Sequence, residues 1–505
     1  MDLKSLYYLI FVFAVAVVYY GVYKIPKAQK IVIAIANILF IVSVCYEKAL
    51  AIILAMTLAV YGISLLIQMA LNNKNKGQAK LFMWMGVIFV IAILCYFKFF
   101  TYTYDILAEF AAGYGVNLTP LITPVGISYY SLSMIAYILD VYHKKHPAEK
   151  NFVDFFVFIT YFPAIIQGPI GIYKTIGAQF KQTHEFDENA VIMGLMRIVW
   201  GYIKKVVIAD RIGIMVIAIL KDDNAVGVML IWAMVLYSFQ IYTDFSGGID
   251  VVMGISECLG IKLRENFKAP LISQSVTEYW QRWHMSLGDF MEKYIYYPIV
   301  LHRSVMKFSK KIPNAYLQKV FSATFASVIV FVIVGIWHGT GWNYVVYGAY
   351  QAFFVSSAVL LGPAYKKIRE VLHIDTETMT YKLLTILRTF TILVFGRFFI
   401  RAKDLTQAIE LFKRAFSKWN INVLFDGSQL NYGLDYKNLY LMYVLIILII
   451  IVDVLHDKGF KFRETILRQD IAFRFTVYFV ALFTIIIFGI YGPGYDSVSF
   501  IYQGF

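Results

Sequence analysis

The sequence predicts an all-α, polytopic membrane protein, and three observations carry that prediction. Of its 505 residues 60% are hydrophobic and only 15% charged, whereas an ordinary soluble domain carries about 25% charged residues. Apolar runs of the roughly 17 to 25 residues that a helix needs to cross a hydrocarbon core recur along the chain, at 6–22, 49–71, 81–97, 344–361, 439–452 and 476–490. The basic clusters fall between these runs. Several runs are interrupted by polar or small residues, as re-entrant pieces are, so about eleven to thirteen membrane-embedded helices are expected, in a single membrane domain over 1–505.

The charge supports the same class. Lys and Arg number 46 against 32 Asp and Glu, a formal net charge of +14. In a polytopic chain such an excess belongs to cytoplasmic loops lying on anionic lipid, so the lipid bilayer is an expected partner and nucleic acid is not. Lys24, Lys27 and Lys30 follow the first span, and Lys74, Lys76 and Lys80 follow two more spans separated by a short turn near 45–50. That parity puts the amino terminus outside, together with a loop at 117–119. Cys45, Cys95 and Cys258 lie far apart in apolar surroundings without metal or redox spacing and read as small hydrophobes. The eight histidines form no ligand-spaced cluster, so no metal is expected.

Texture divides the chain. Helices of 1–100 are nearly pure Leu, Ile, Val, Ala and aromatic, as a peripheral bundle requires. Across 120–352 polar residues, Gly and Pro enter apolar segments: Pro124, Gly126 and Ser128; Gln167, Gly168 and Pro169; Asp244, Ser246, Gly247 and Gly248. Polar and ionisable groups within a membrane are costly and tend to face a working cavity, so this block is the expected core. From 380 to 505 apolar spans return, with Arg388, Arg397 and Arg401 near their ends, expected to snorkel to the interface. A Gly-Pro-Gly turn at 492–494 is expected to leave the membrane.

Two histidines stand apart from the charged loops. His338 lies in VGIWHGTGW (334–342), with Gly335 and Gly339 flanking the Trp337-His338 pair; small neighbours allow another backbone or a ligand to approach closely. A hydrogen-bonded core histidine is the plainer reading. His284 lies in EYWQRWHMSL (278–287), where Trp280, Trp283 and Leu287 follow helical spacing and suggest an amphipathic or re-entrant helix with its rings toward the bilayer interface. The plainer reading there is an interfacial anchor with an i, i+4 pair of Glu278 and Arg282. Chemically, an alcohol is a poor nucleophile near neutral pH, and a neutral imidazole in a desolvated site suits the removal of its proton. A thioester donor needs little further activation beyond donors for the developing oxyanion, which Gly-rich backbone, the Trp337 indole or a second histidine could supply. The chain has no Gly-x-Ser-x-Gly elbow, no Walker-type loop and no His-Glu-x-x-His.

Five blocks, taken together and in order, resemble the membrane-bound O-acyltransferase superfamily and its bacterial AlgI-like branch: 121–142 (LITPVGISYYSLSMIAYILDVY), 161–170 (YFPAIIQGPI), 241–249 (IYTDFSGGI), 264–298 (RENFKAPLISQSVTEYWQRWHMSLGDFMEKYIYYP) and 335–348 (GIWHGTGWNYVVYG). The resemblance implies a helical fold with a central funnel and tunnel and a catalytic histidine at His338. It implies a second functional histidine at His284, with Asn266, Arg282, Trp283 and Trp337 shaping the site. Asp244 and Gln167 would line the tunnel, although Gln167 departs from the small or histidine residues expected in its block. It also implies a multi-pass protein of the bacterial cell membrane with no bound cofactor. The co-substrate would be an acyl thioester, acetyl-CoA or an acyl carrier protein. The acetyl group would move outward to an SGNH-type partner or a polysaccharide acceptor. The D-alanyl transfer protein of teichoic acid modification is a related alternative.

Two readings from other classes share these residues. A transporter or flippase would use Asp244, Asp250 and the Gly-rich helix breaks as a permeation path. A scaffold for a surface-polymer complex would use neither histidine.

Overall fold

A computed structural model describes residues 3, 5–116 and 124–491; the loop expected at 117–119 and the turn at 492–494 lie outside these described residues. Among the described residues every regular element is helical, and strand-like pairing is limited to one isolated bridge between Phe267 and Trp283. Seven helices among the described residues are long and apolar enough to cross a membrane, or eight if Trp342–Leu360 and Gly362–Val371, bent by 61°, form one span. This is a multi-pass membrane protein, as expected, in which full-length spans stand beside shorter helices. The shorter ones include Ile127–Tyr142 and Phe152–Thr160, in which nearly every residue is buried by protein. A helix wrapped in protein does not have to match the bilayer thickness.

The turn expected near 45–50 is absent. Ala28–Asn72 is helical throughout its 45 residues, and residues 45–50 (CYEKAL) contain neither Gly nor Pro to end it. At about 1.5 Å per residue this helix is roughly 67 Å long, more than twice a hydrocarbon core of about 30 Å. The parity count that placed the amino terminus outside therefore lacks its turn.

The described residues form two compact units. The first comprises residues up to Tyr202 together with Gly248–Arg264. Its buried joints are polar: Asn37 donates to the Thr160 hydroxyl (3.0 Å) and accepts from the Phe162 amide (2.8 Å), and Arg197 pairs with Asp250 (2.9 Å) and Glu257 (3.0 Å). Gly126 has φ +79, and a Cβ there would lie 2.0 Å from the Ile165 carbonyl oxygen, so this glycine brings the 121–142 and 161–170 blocks together.

The second unit comprises Ile203–Gly247 and the chain from Glu265. Its helices differ in what surrounds them. Within Ile471–Phe488 no residue of the spanning window is buried by protein, so its apolar side chains require lipid. The helix Val228–Cys258, which enters this unit with its residues up to Gly247, is 83% buried in its window and carries the polar residues the sequence flagged. A hairpin of Ala315–His338 and Trp342–Leu360 packs beside Met379–Arg401. Val276, Phe331, Ala352 and Val355 form a core there, flanked by Trp280, Phe354 and Ile392.

Candidate active site

The site lies within the second unit. Helix Val276–Arg282 begins at Ser275, whose hydroxyl accepts from the Glu278 amide (3.1 Å), while the Glu278 carboxylate accepts from the Gln274 amide (2.8 Å); this is a capping arrangement that the Ser-x-x-Glu spacing encodes. The helix stops after Arg282 and restarts at Met285–Met291. Between them the chain runs beside 266–268: the Lys268 amide donates to the Arg282 carbonyl (3.0 Å), Phe267 bridges Trp283, and the Met285 amide donates to the Asn266 carbonyl (3.0 Å). His284 takes the break with φ 48 and ψ 52, a left-handed conformation sparsely used by residues other than glycine and concentrated at functional positions.

This corrects the expected continuous helical face with its rings toward the bilayer interface. Trp280, Trp283 and Leu287 do not share one helical face, because the helix is interrupted at His284. Trp283 is 3% exposed and stacks on Tyr279 with ring centroids 5.5 Å apart, inside the protein and not at a bilayer interface. Helical spacing cannot register a break whose hydrogen bonds come from a segment some fifteen residues earlier.

His284 is buried, with the Phe245 ring edge-on at 4.9 Å and the Trp337 ring at 5.9 Å. Asn266 Oδ1 accepts from the Ser286 amide at 2.9 Å, which fixes the orientation of the amide, and lies 3.3 Å from His284 Nδ1. An oxygen opposite Nδ1 requires that nitrogen to carry the proton, so Nε2 presents a lone pair. Burial pushes the imidazole pKa down to about 3, so the ring is neutral across the physiological range.

His338 is the last residue of Ala315–His338 and is 2% exposed. Its position depends on glycines. A Cβ on Gly335 would lie 2.4 Å from the Tyr344 carbonyl oxygen, and one on Gly348 would lie 2.4 Å from that of Phe331, so the hairpin backbones meet at a distance only glycine allows. The Tyr344 ring fills the space beside Gly339. Trp337 is edge-on to both His338 (5.0 Å) and His284 (5.9 Å). Two histidines 54 positions apart in sequence thus flank one indole in a buried aromatic surround, and a buried neutral imidazole can take a proton from a hydroxyl.

The other expected residues divide. Asn266, Trp283 and Trp337 belong to this cluster. Arg282 directs its guanidinium to Glu278 (2.7 Å) and Asp457 (2.6 Å). Asp244 pairs with Lys205 at 2.5 Å, and Lys205 also lies 2.8 Å from Asp210. Lys205 belongs to a π-helical turn, Ile203–Ala209, a rare geometry enriched at functional sites. Gln167 lies in the first unit, fully buried, and its side-chain amide makes no hydrogen bond among the described residues.

Sequence reading missed Arg397. Expected to snorkel, it is 2% exposed and donates to the Tyr279 hydroxyl at 2.9 Å. Arg388, by contrast, donates to the Gln274 carbonyl at 2.7 Å in an exposed setting. The usable signal was Gly396-Arg397 in the middle of the aromatic run VFGRFF, where glycine permits close helix approach: a Cβ there would meet Gln351 at 3.1 Å.

Comparison with known proteins gives the family. Residues 144–371 match the family pattern described as MBOAT, membrane-bound O-acyltransferase. Over 443 residues, 86% of this chain and 85% of its relative, the sequence is 30% identical to the probable alginate O-acetylase AlgI of Pseudomonas putida. It is 28% identical to the peptidoglycan O-acetyltransferase of Helicobacter pylori, over 77% of this chain and 74% of that protein. Similarity to the teichoic acid D-alanyltransferase of Bacillus subtilis is 27% over 47% of this chain and 59% of that protein. With its multi-pass helical fold and extended similarity, the chain is an acyltransferase belonging to the membrane-bound O-acyltransferase family.

Proposed function

We propose that this enzyme takes an acetyl group from a cytoplasmic thioester, acetyl-CoA or an acyl carrier protein, and delivers it for O-acetylation of a cell-surface polysaccharide. It would do so in the bacterial cell membrane, directly or through an SGNH-type partner. The observation that carries this reading is the pair of buried histidines around Trp337 in a chain similar to O-acetylases over most of its length. The D-alanyl reading has support over only about half of the chain.

In the proposed reaction His338 is the general base. It removes the acceptor hydroxyl proton as that oxygen attacks the thioester carbonyl carbon; the C–S bond breaks, and the imidazolium returns the proton to the departing thiolate. With Nδ1 protonated, His284 Nε2 can only accept a hydrogen bond; since the one proton of the attacking hydroxyl goes to His338, His284 suits holding a neighbouring O–H of the acceptor and not donating to an oxyanion. Holding the two reactants aligned supplies much of the acceleration.

The test is acyl transfer by purified protein in nanodiscs, offered radiolabelled acetyl-CoA and a D-alanyl carrier thioester separately. Acetyl-CoA consumption that drops at least about a hundredfold in His338→Ala, with the variant still monodisperse, is the expected result. Preference for the D-alanyl carrier overturns the acetyl assignment, and undiminished turnover by His338→Ala overturns the role of that residue.

A further inference from the structure

We propose that Arg397 is a positioning residue of this site, a buried guanidinium that locks the segments carrying His284 and His338 to one another. The proposal rests on the acyl-transfer reading above. Arg397 has no carboxylate partner among the described residues, and its Nε makes no hydrogen bond. What surrounds it is aromatic. Its Cζ lies 5.9 Å from the Tyr279 ring and 5.7 Å from the Trp283 ring, Nη2 donates to the Tyr279 hydroxyl at 2.9 Å, and the buried Tyr347 on the neighbouring helix is close enough for the charge to act on its hydroxyl.

Each contact leads to a histidine. Trp283 immediately precedes His284 and packs edge-on against Phe245 at 6.2 Å, and Phe245 packs against the His284 ring at 4.9 Å. Tyr347 faces the His338 ring edge-on at 6.3 Å. The cation therefore meets the histidine-bearing break directly, while the helix that carries it packs on the second helix of the His338 hairpin, with Gly396 against Gln351 and Tyr350. Gly396 lets the Met379–Arg401 helix approach closely enough to deliver it.

A desolvated cation with no counter-ion is a costly way to fill space, and a methionine of similar length would fill it more cheaply. A guanidinium differs in being flat and forked: it lies over ring faces and hydrogen-bonds in its own plane at once, which a lysine ammonium cannot reproduce. Geometry is thus what the arginine supplies.

The experiment compares Arg397→Met, Arg397→Lys and Tyr347→Phe with wild type in nanodiscs, following melting, acetyl-CoA kinetics and the imidazole ¹⁵N signals of histidine-labelled protein. Arg397→Met is expected to melt within a few degrees of wild type while kcat falls at least tenfold and KM for the donor changes less than threefold. Lysine should restore less than a third of the lost rate. Tyr347→Phe should lower kcat less, and adding it to Arg397→Met should cause no further loss. If Arg397→Met does not fold, the lysine and Tyr347→Phe variants decide alone.

Wild-type kcat in Arg397→Met, full recovery with lysine, or additive losses in the double variant would overturn the proposal. The ¹⁵N signals of His284 and His338 should shift in Arg397→Met whatever the substrate is, so unchanged signals also overturn it. Absence of His338-dependent turnover in wild type together with shifted signals would count against the acyl-transfer reading and leave the positioning role standing.

Discussion

His284 combines three costs in one residue: a left-handed backbone, complete burial and a titratable ring. Each is met locally. The backbone is held by the Asn266 and Lys268 segment, and the ring is held neutral with its pKa pushed down to about 3 by burial. The pH dependence follows from that direction. Below the unfolded value of about 6.5 the unfolded chain binds a proton that the folded chain refuses, so stability is lost progressively as pH falls toward 3. Between pH 7 and 4.5 the melting temperature of the wild type in detergent should therefore fall more than that of His284→Asn. Parallel curves for the two proteins would show that His284 titrates alike in both states.

At the scale of elements, the hairpin of Ala315–His338 and Trp342–Leu360 sets where His338 stands. Its helices meet at Gly335 and Gly348, and Gly335→Ala would press a methyl against the Tyr344 carbonyl, 2.4 Å from the ideal Cβ position. That oxygen belongs to rigid backbone, so the helices must part, at a cost of about 1–3 kcal/mol. A displacement near 1 Å at His338 should lower turnover by about a hundredfold. Gly62→Ala is the control, since nothing lies within 4 Å of its Cβ position; it should be neutral or slightly stabilising in a helix. Thermal melting and turnover of both variants check this, and equal behaviour would contradict the close-approach argument.

At the scale of the molecule, the chain must place charges inside a body whose outer helices face lipid. Lys204, Lys205, Asp210 and Asp244 are all buried, and their formal charges sum to zero. Asp244→Ala leaves one excess positive charge and Lys205→Met one excess negative charge, each expected to cost about 3–5 kcal/mol. The double variant restores balance, so its destabilisation should be well below the sum of the two. A double-mutant cycle on melting temperature measures this, and simple additivity would contradict a coupled cluster.

Residue types and spacing were enough for the membrane class, the helical fold and the family blocks, because lipid demands long apolar runs and each motif is contiguous; they set His284 and His338 apart from the charged loops, and only the family resemblance gave the two residues a role. The glycines beside His338 were legible because their block is contiguous. Tertiary structure alone decided the break at His284, the unbroken helix through 45–50, the pairing of Arg282 with Asp457 and the burial of Arg397. The break and the two arginines depend on partners far away in sequence: Asn266 supplies the hydrogen bonds that interrupt a helix, Asp457 draws Arg282, and the Tyr279 and Trp283 rings cover an arginine that hydropathy sends to the interface. Local pattern records what a segment can bury or span, whereas where a long side chain ends and where a helix breaks depend on which neighbours satisfy its polar groups.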